Sequence, residues 1–349
     1  MELPGSKRLH ADNLSADLEE HSGGILSLAR TRTLPQPARG QGTMVRVPVT
    51  PRLAILYEHP RWFEPLFAEL RARGIAFEEW KAESLALNPE RTEWPDLVLN
   101  RMSPSARWRD HGCGQFAVLE MLRLLEARRV EVINGSAAYE VEISKLRQLE
   151  ICRRCGVATP RTRAVNCPKL FAAAAAELRF PVVVKPNCGG AGSAMQRYDS
   201  QGDLERLAEQ IDFGADNVAL VQEYHAPRGG FIQRVEVLGG ELLYALRIEA
   251  TSFNLCPADA CAVTQRKVTR FEPTPEIATA SLSLARAARL DVGGVEYLED
   301  ASTGEPLFYD INALSNFIAN AESIVGFNPT ARFVDYLERR LDALRWARR

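Results

Sequence analysis

The sequence lacks most of the features that assign a protein quickly. Charge of one sign is missing: 43 Lys and Arg stand against 45 Asp and Glu, a formal net charge of −2. Without a basic field or a polybasic block there is no footing for nucleic acid or an anionic membrane surface, so small molecules are the expected partners. No apolar run is long enough to span a bilayer. The seven cysteines are an odd number at irregular spacing in a long chain without a secretory apolar leader. That pattern fits reduced thiols in a cytoplasmic enzyme better than a disulfide framework. Zinc spacing is missing as well. Cys256 and Cys261 have no second pair or histidine nearby, Cys152 and Cys155 read as an i, i+3 core pair on a helix, and His111 beside Cys113 has no support. Neither G-x-G-x-x-G nor the P-loop pattern occurs, so a nucleotide would have to bind by other means than a Rossmann turn.

What remains is ordinary globular texture, 46% hydrophobic and 25% charged over 349 residues. That is more chain than one core usually organises, and two or three subdomains are expected. Residues 1–50 mix Ser, Gly, Pro, Arg and acids with little apolar periodicity and read as a mobile extension. Asp12, Asp17, Glu19 and Glu20 argue against a mitochondrial presequence, and Met44 is an alternative start. From Arg52, "RLAILYE", "WFEPLFAELRARG" and "DLVLNRM" alternate strand and helix signals. "FAVLEMLRLLEARR" and "VEVING" continue them, so 51–138 reads as a parallel-sheet α/β domain.

Next comes a helical pattern from Glu140 to Arg154, ended by Gly156 with Pro160 beyond. It carries Lys145 near its start; one such lysine, taken alone, is most often solvated. The stretch "FPVVVKPNCGGAG" adds company. Its apolar run reads as a buried strand ending in Lys185, and the glycines after it form a flexible turn with exposed amides. An unpaired buried ammonium is costly, so Lys185 either snorkels to water or meets an anion from outside. Successive amides plus a lysine make a phosphate cradle, although a plain hairpin turn accounts for the glycines equally. "VALVQEY" is a further strand whose polar end, Gln222 and Glu223, suits the edge of an adenine slot.

"GGFIQRVEVLGGELLYALRIEA" reads as an antiparallel pair turning at Gly239 and Gly240. That register sets Arg234 and Arg247 almost opposite each other on one face, where they need anions; salt bridges to Glu236 or Glu249 would serve as well. In "GGVEYLEDASTGEPLFYDINALSN" a hairpin centred on Thr303 places Glu296 opposite Asp310, with Asn312 on the same face. Two adjoining carboxylates and an amide, with room for water and phosphate oxygens, suit Mg²⁺. A slip of one residue would undo the set.

The order of these elements, Lys145, "VVVKP" with its glycines, "VQEY", the arginine strands, "GGVEY" and "YDIN", resembles the ATP-grasp superfamily, most nearly the RimK-type and glutathione-synthetase-like ligases. The resemblance covers roughly 140–330, and the amino-terminal unit also fits that family's first domain. It implies an α/β (α+β) fold in which nucleotide is held between two α+β subdomains, here 139–225 and 226–349. It implies that Lys145 and Lys185 contact ATP phosphates, that Gly189, Gly190 and Gly192 form a mobile phosphate lid, and that Gln222, Glu223 and Tyr224 line the adenine, with the Tyr224 amide as ring contact. Arg234, with Arg247 as neighbour, would lie near the transferred phosphoryl group. Glu296, Asp310 and Asn312 would hold Mg²⁺, Mn²⁺ being a second ion such a site accepts; Glu first and Asp second reverses the commoner order. The implied activity is an ATP-dependent carboxylate–amine ligase acting on an acid and an amine such as amino acids or a peptide, and a homo-oligomer is compatible with it. A kinase of the same fold and a non-catalytic ATP-binding module are the alternatives. "SFNLCPADACAV", Ser252 to Val263, reads either as a pocket-lining loop or as a structural one, and "NALSNF" departs from the proline and glycine loop of relatives.

Overall fold

A computed structural model describes residues 52–86, 88–111, 114–190, 192, 194–250, 267–318 and 320–347. The expectations for 1–50, for Cys113 and for 252–263 with Cys256 and Cys261 lie outside the described residues. Thirteen strands in three sheets are present among those described.

The first sheet is parallel, in the order β2-β1-β3-β4, with β1 Leu53–Tyr57, β2 Phe77–Lys81, β3 Leu97–Arg101 and β4 Glu131–Ile133. Every residue of β1 and β3 is buried, as expected when helices cover both faces and the strand reads as one apolar run. The chain leaves β1 for β2 on one side and β3 on the other, so the carboxyl ends of β1 and β3 flank the crevice where ligands of such sheets gather.

The second sheet is antiparallel, β5-β8-β6-β7, built from β5 Thr162–Val165, β6 Val182–Pro186, β7 Gln196–Tyr198 and β8 Ala219–Glu223. The third has the order β11-β10-β9-β12-β13: β9 Pro227–Leu238, β10 Glu241–Glu249, β11 Val268–Arg270, β12 Val292–Asp300 and β13 Pro306–Asn312. Gly239 and Gly240 turn β9 into β10 with φ of 61° and 86°, a left-handed pair that matches the twist of a tight hairpin.

One face of the third sheet packs Val235, Val237, Ala245, Val295, Tyr297, Phe308 and Ile311 against Leu284 and Ala285 of the helix Pro275–Ala287. The other face carries Ile232, Leu246, Ile248 and Leu298 against residues of the carboxyl-terminal helix Pro329–Ala347. That helix returns to the first domain, where Arg73 meets Asp335 at 2.6 Å and Glu338 at 2.8 Å. Asn134, after β4, donates to the Val292 carbonyl at 2.6 Å and accepts from the Asp291 amide at 2.8 Å. The first sheet is thereby fastened to the third.

The long helix expected over Glu140 to Arg154 is two. Ser136–Glu142 ends, and Ser144 then caps Lys145–Arg154 by accepting from the Arg147 amide. A serine at an N-cap satisfies an amide that has no partner within the helix, so a new helix starts there in preference to continuing the old one. Lys145 is therefore the first residue of a helix.

Candidate active site

Four elements converge on the carboxylates of β12 and β13. The register pairs Glu296 with Asp310 and Gly294 with Asn312, as expected. The route differs from a plain hairpin. Near the turn the strands pair Tyr297 with Phe308 and Leu298 with Leu307, and the register shifts between Tyr297 and Glu296. Tyr309 is the extra residue of a β-bulge. Without a bulge Phe308 and Asp310 would share a face; with it, Phe308 enters the core beside Ile311, while Asp310 lies opposite Glu296. Nothing in the sequence marks Tyr309 for this role.

Arg234 comes from β9, where it pairs with Glu296 across the ladder. Its guanidinium donates to Glu296 at 2.6 Å and to Glu236 at 2.6 Å, and all three are buried. A Cβ on Gly294 would lie 2.6 Å from Arg234 Nη2, so a larger residue there would displace the guanidinium from its place over β12. Burial disfavours the charge, but Glu236 and Glu296 outweigh it and hold the Arg234 pKa well above the ordinary value. Glu236, which the sequence offered only as a salt-bridge alternative, belongs to this set.

Arg247 does not. β10 carries its own register shift between Leu242 and Tyr244, so Arg247 pairs with Gln233 and Leu246 pairs with Arg234. The one-residue offset turns Arg247 to the opposite face, where its guanidinium lies 5.0 Å from the Phe271 ring centroid. The facing pair of arginines expected from the glycine turn is corrected by that shift.

Lys145 reaches the same carboxylates from its helix. Gln148, one turn on, donates to the Ile311 carbonyl at 3.0 Å and accepts from the Ile311 amide at 3.1 Å. β13 is an edge strand, and a side-chain amide thus satisfies backbone groups that a neighbouring strand would otherwise pair. This docking brings Lys145 Nζ to 2.7 Å from Asp310 Oδ1. Burial works against the ammonium, yet Asp310, Glu142 and Glu296 raise its pKa. For Asp310 burial pushes upward and Lys145 and Lys185 prevail downward; for Glu296 burial and the Asp310 charge prevail over Arg234, and its pKa is raised.

Lys185 is 5% exposed at the end of β6. Among the described residues it makes no hydrogen bond or ion pair, and its nearest aromatic surface is Tyr309, 6.0 Å to the centroid. Burial, reinforced by repulsion from Lys145, pushes its pKa down to about 7 despite the pull of Asp310 and Glu296. The two lysines are brought together by Asn187: its side-chain oxygen accepts from the Leu146 amide at 2.8 Å, and its carbonyl accepts from the Lys145 amide at 3.2 Å. Asn187 follows directly on "VKP" in the sequence and was not singled out there.

Glu142 was missed entirely. It is buried and accepts from the amides of Ala313 and Leu314, anchoring the segment after Asn312. Burial, with Asp310 nearby, raises its pKa to about 7. The Tyr309 hydroxyl lies beside Glu296 without a well-formed hydrogen bond to it.

The expected adenine edge is more closed. Gln222 donates to Thr162 Oγ1 at 2.9 Å, and Glu223 Oε1 accepts from the Arg179 amide at 2.9 Å. The Tyr224 amide, expected to face the ring, donates to the Pro181 carbonyl at 2.9 Å. The ladder of β8 with β6 closes at Glu223 and Val182, and the Tyr224 bond just beyond it occupies that donor. Gly189 and Gly190 follow Lys185 as expected, and Gly192 has a φ of 68°; Ala191 and Ser193 lie outside the described residues.

Glu296 and Asp310, with Asn312 Nδ2 3.5 Å from Glu296 Oε1, form an oxygen-rich set that is short of ligands for a resident ion. Among the described residues no three His, Cys, Asp or Glu side chains cluster as a metal site. Mg²⁺ characteristically takes one or two protein carboxylates and completes its shell with water and phosphate oxygens. The donors present fit that mode, in which ion and phosphates arrive together.

Comparison with solved structures identifies the fold. The chain matches the ATP-grasp ligase PsnB, solved with a phosphomimetic variant of a minimal precursor, Mg and ADP, with a TM-score of 0.59 at 20% identity, covering 84% of this chain and 98% of that one. It matches the D-cycloserine synthetase DcsG with a TM-score of 0.60 at 18% identity, over 83% and 99% of the two chains. A RimK domain ATP-grasp protein from Sphaerobacter thermophilus gives 0.59 at 19% identity, over 82% and 98%. The chain has the ATP-grasp fold. No family model matches the sequence. In sequence it is similar to a probable alpha-L-glutamate ligase of Marinomonas sp. (strain MWYL1), 25% identical over 224 residues, which cover 63% of this chain and 71% of the relative. A probable alpha-L-glutamate ligase of Alcanivorax borkumensis is 26% identical over 196 residues, 55% and 62% of the two. The resemblance read from the sequence is borne out by these relatives.

Proposed function

We propose that this protein is an ATP-dependent carboxylate–amine ligase, with the nucleotide held between 139–225 and 226–349. The observation that carries this is the convergence of Lys145, Lys185 and Arg234 on Glu296 and Asp310, from five separate elements, around one lysine that has no ion pair among the described residues. The names of the relatives support an amino acid or a peptide as substrate.

In the first step an oxygen of the substrate carboxylate attacks the γ-phosphorus of ATP; the bond to the β-phosphate bridging oxygen breaks, and ADP leaves. In the second, the amine nitrogen attacks the acyl phosphate carbon, phosphate departs, and the amine loses a proton. Lys185 and the amides of Gly189 and Gly190 bind phosphate oxygens, while Arg234 stabilises charge on the transferred group. Lys145 exchanges its bond to Asp310 for phosphate. Glu296, Asp310 and Asn312 would hold Mg²⁺, which when bound neutralises phosphate charge; Mn²⁺ satisfies the same donors. Gln222, Glu223 and Tyr224 would flank the adenine.

Release of ADP is measured across pools of acids and amines, and products are identified by mass spectrometry. An amide with one ADP per bond supports the reading. A phosphorylated acceptor without amide would make the protein a kinase, and binding without turnover would make it a nucleotide-binding module.

A further inference from the structure

A segment of the amino-terminal domain grips the glycine turn from outside. After β3 the chain runs through Pro104, Ser105 and the short helix Ala106–Arg109, none of which belongs to the site described above. Gly189 lies so close to Trp108 that a Cβ there would be 2.9 Å from Cη2 and 3.2 Å from Cζ3 of the indole, with Pro186 Cγ also at 3.2 Å. A Cβ on Gly190 would be 3.2 Å from Pro104 Cγ and 3.8 Å from Ser105 Cβ. Arg107 meets Asp212 at 2.7 Å, and Asp212 in turn accepts from the Gly214 amide at 2.9 Å. Gly214 backs the same turn, since a Cβ on it would lie 2.7 Å from Pro186 Cβ and 3.1 Å from the Cys188 carbonyl oxygen.

The segment is also tied to the ligand edge of its own sheet. Arg109 donates to Glu58 at 2.8 Å and 2.6 Å and to Ser105 Oγ at 3.0 Å. Glu58 follows β1 directly and its side chain is fully buried. One short stretch therefore touches the carboxyl edge of the first sheet on one side and the phosphate turn on the other.

We propose that Trp108 is a positioning residue for ATP: its indole sets the backbone of Gly189 and Gly190, and Arg107 with Asp212 keeps the segment in place. This rests on the reading that the turn binds phosphate. Glycine at 189 is then required by the ring that faces it, since no left-handed backbone angle demands it there. Removing the ring frees the turn, and adding a methyl to the glycine collides with the ring. Each change weakens ATP; made together, they relieve each other.

The test is a double-mutant cycle on the full chain, read as KM for ATP, kcat and thermal midpoint. Trp108→Ala is expected to raise KM for ATP about tenfold, equivalent to roughly 1.4 kcal/mol, with kcat changed less; Trp108→Phe restores part of the loss. Gly189→Ala is expected to raise KM at least as much, and the double variant to bind ATP better than Gly189→Ala alone. Additive effects across the cycle would overturn the proposal, as would a KM for Trp108→Ala equal to wild type. Lys185→Met separates the two levels. If it weakens ATP while Trp108→Ala does not, the inference fails and the phosphate site stands; if neither variant affects ATP, the phosphate site itself fails.

Discussion

Lys185 should take up a proton when ATP binds. In the free protein its pKa lies at about 7, lowered from 10.5, and that fall corresponds to roughly 5 kcal/mol set against the charged form. An arriving triphosphate supplies the missing counter-charge, and the pKa moves back toward its ordinary value. At pH 8 the free site holds about 0.1 proton on this lysine, so binding takes up roughly 0.9; at pH 6 the site is already charged and uptake falls to roughly 0.1. Affinity therefore declines about tenfold for each pH step above 7. The stability sign is fixed by the same shift. Between pH 7 and 10.5 the unfolded chain holds more protons on this residue than the folded one, so its drag on the fold is full below pH 7 and disappears as pH rises through 10.5.

Titration calorimetry with a non-hydrolysable ATP analogue measures the uptake directly. In buffers of different ionisation enthalpy, the slope of observed against buffer enthalpy gives the protons exchanged. Titration of the nucleotide itself is common to wild type and Lys185→Met, so their difference isolates the lysine. Lys185→Met should bind more weakly at pH 7 and lose the steep decline above it. Equal proton uptake by the two proteins at pH 8 would refute the reasoning, because an ammonium already compensated within the protein has no proton to regain.

Four other variants probe the remaining parts. Asp310→Asn keeps shape but removes the charge that pairs with Lys145 and that the proposed Mg²⁺ site would use; ADP release should fall at least about a hundredfold, with far-ultraviolet circular dichroism unchanged and no rescue by raised Mg²⁺. Arg234→Ala strands two buried carboxylates and should cost about 3–5 kcal/mol of stability along with turnover, read by chemical denaturation and ADP release. Arg247→Ala, on the opposite face, should leave KM for ATP unchanged and shift stability by about 1 kcal/mol or less; a large KM effect would place that arginine back at the site. Glu142 has its pKa raised from 4.5 to about 7, so the folded state holds the extra proton and stability from this group declines as pH rises from 4.5 through 7. Glu142→Gln should flatten the dependence of the thermal midpoint over that range.

The legible and illegible parts of this protein separate along a physical line. Period-two alternation and turn residues are local, so the strand ending in Lys185, the Glu296–Asp310 hairpin and the Gly239–Gly240 turn could be read directly. Bulges are also local in effect but leave no composition mark, and two of them decided opposite outcomes. The extra residue at Tyr309 left Asp310 on the carboxylate face, whereas the shift between Leu242 and Tyr244 moved Arg247 to the wrong one. A register argument is only as good as the count of residues between turn and site, and one uncounted residue flips every side chain beyond it.

Residues that join elements distant in sequence were the least legible. Asn187, Gln148 and Glu142 each look like ordinary polar positions, yet each spends its hydrogen bonds on backbone groups of another element and thereby aligns a lysine with a carboxylate. Their choice of partner depends on which backbone amides and carbonyls the fold leaves unpaired, and that is settled only when the sheets are assembled. Lys185 is the converse case. Its cost was visible from the sequence because an ammonium among valines has no local remedy, and among the described residues it gains no hydrogen bond or ion pair. The group that the fold leaves unsatisfied is thus the one whose ligand could be named earliest, and a bound triphosphate is the most direct remedy on this face of the protein.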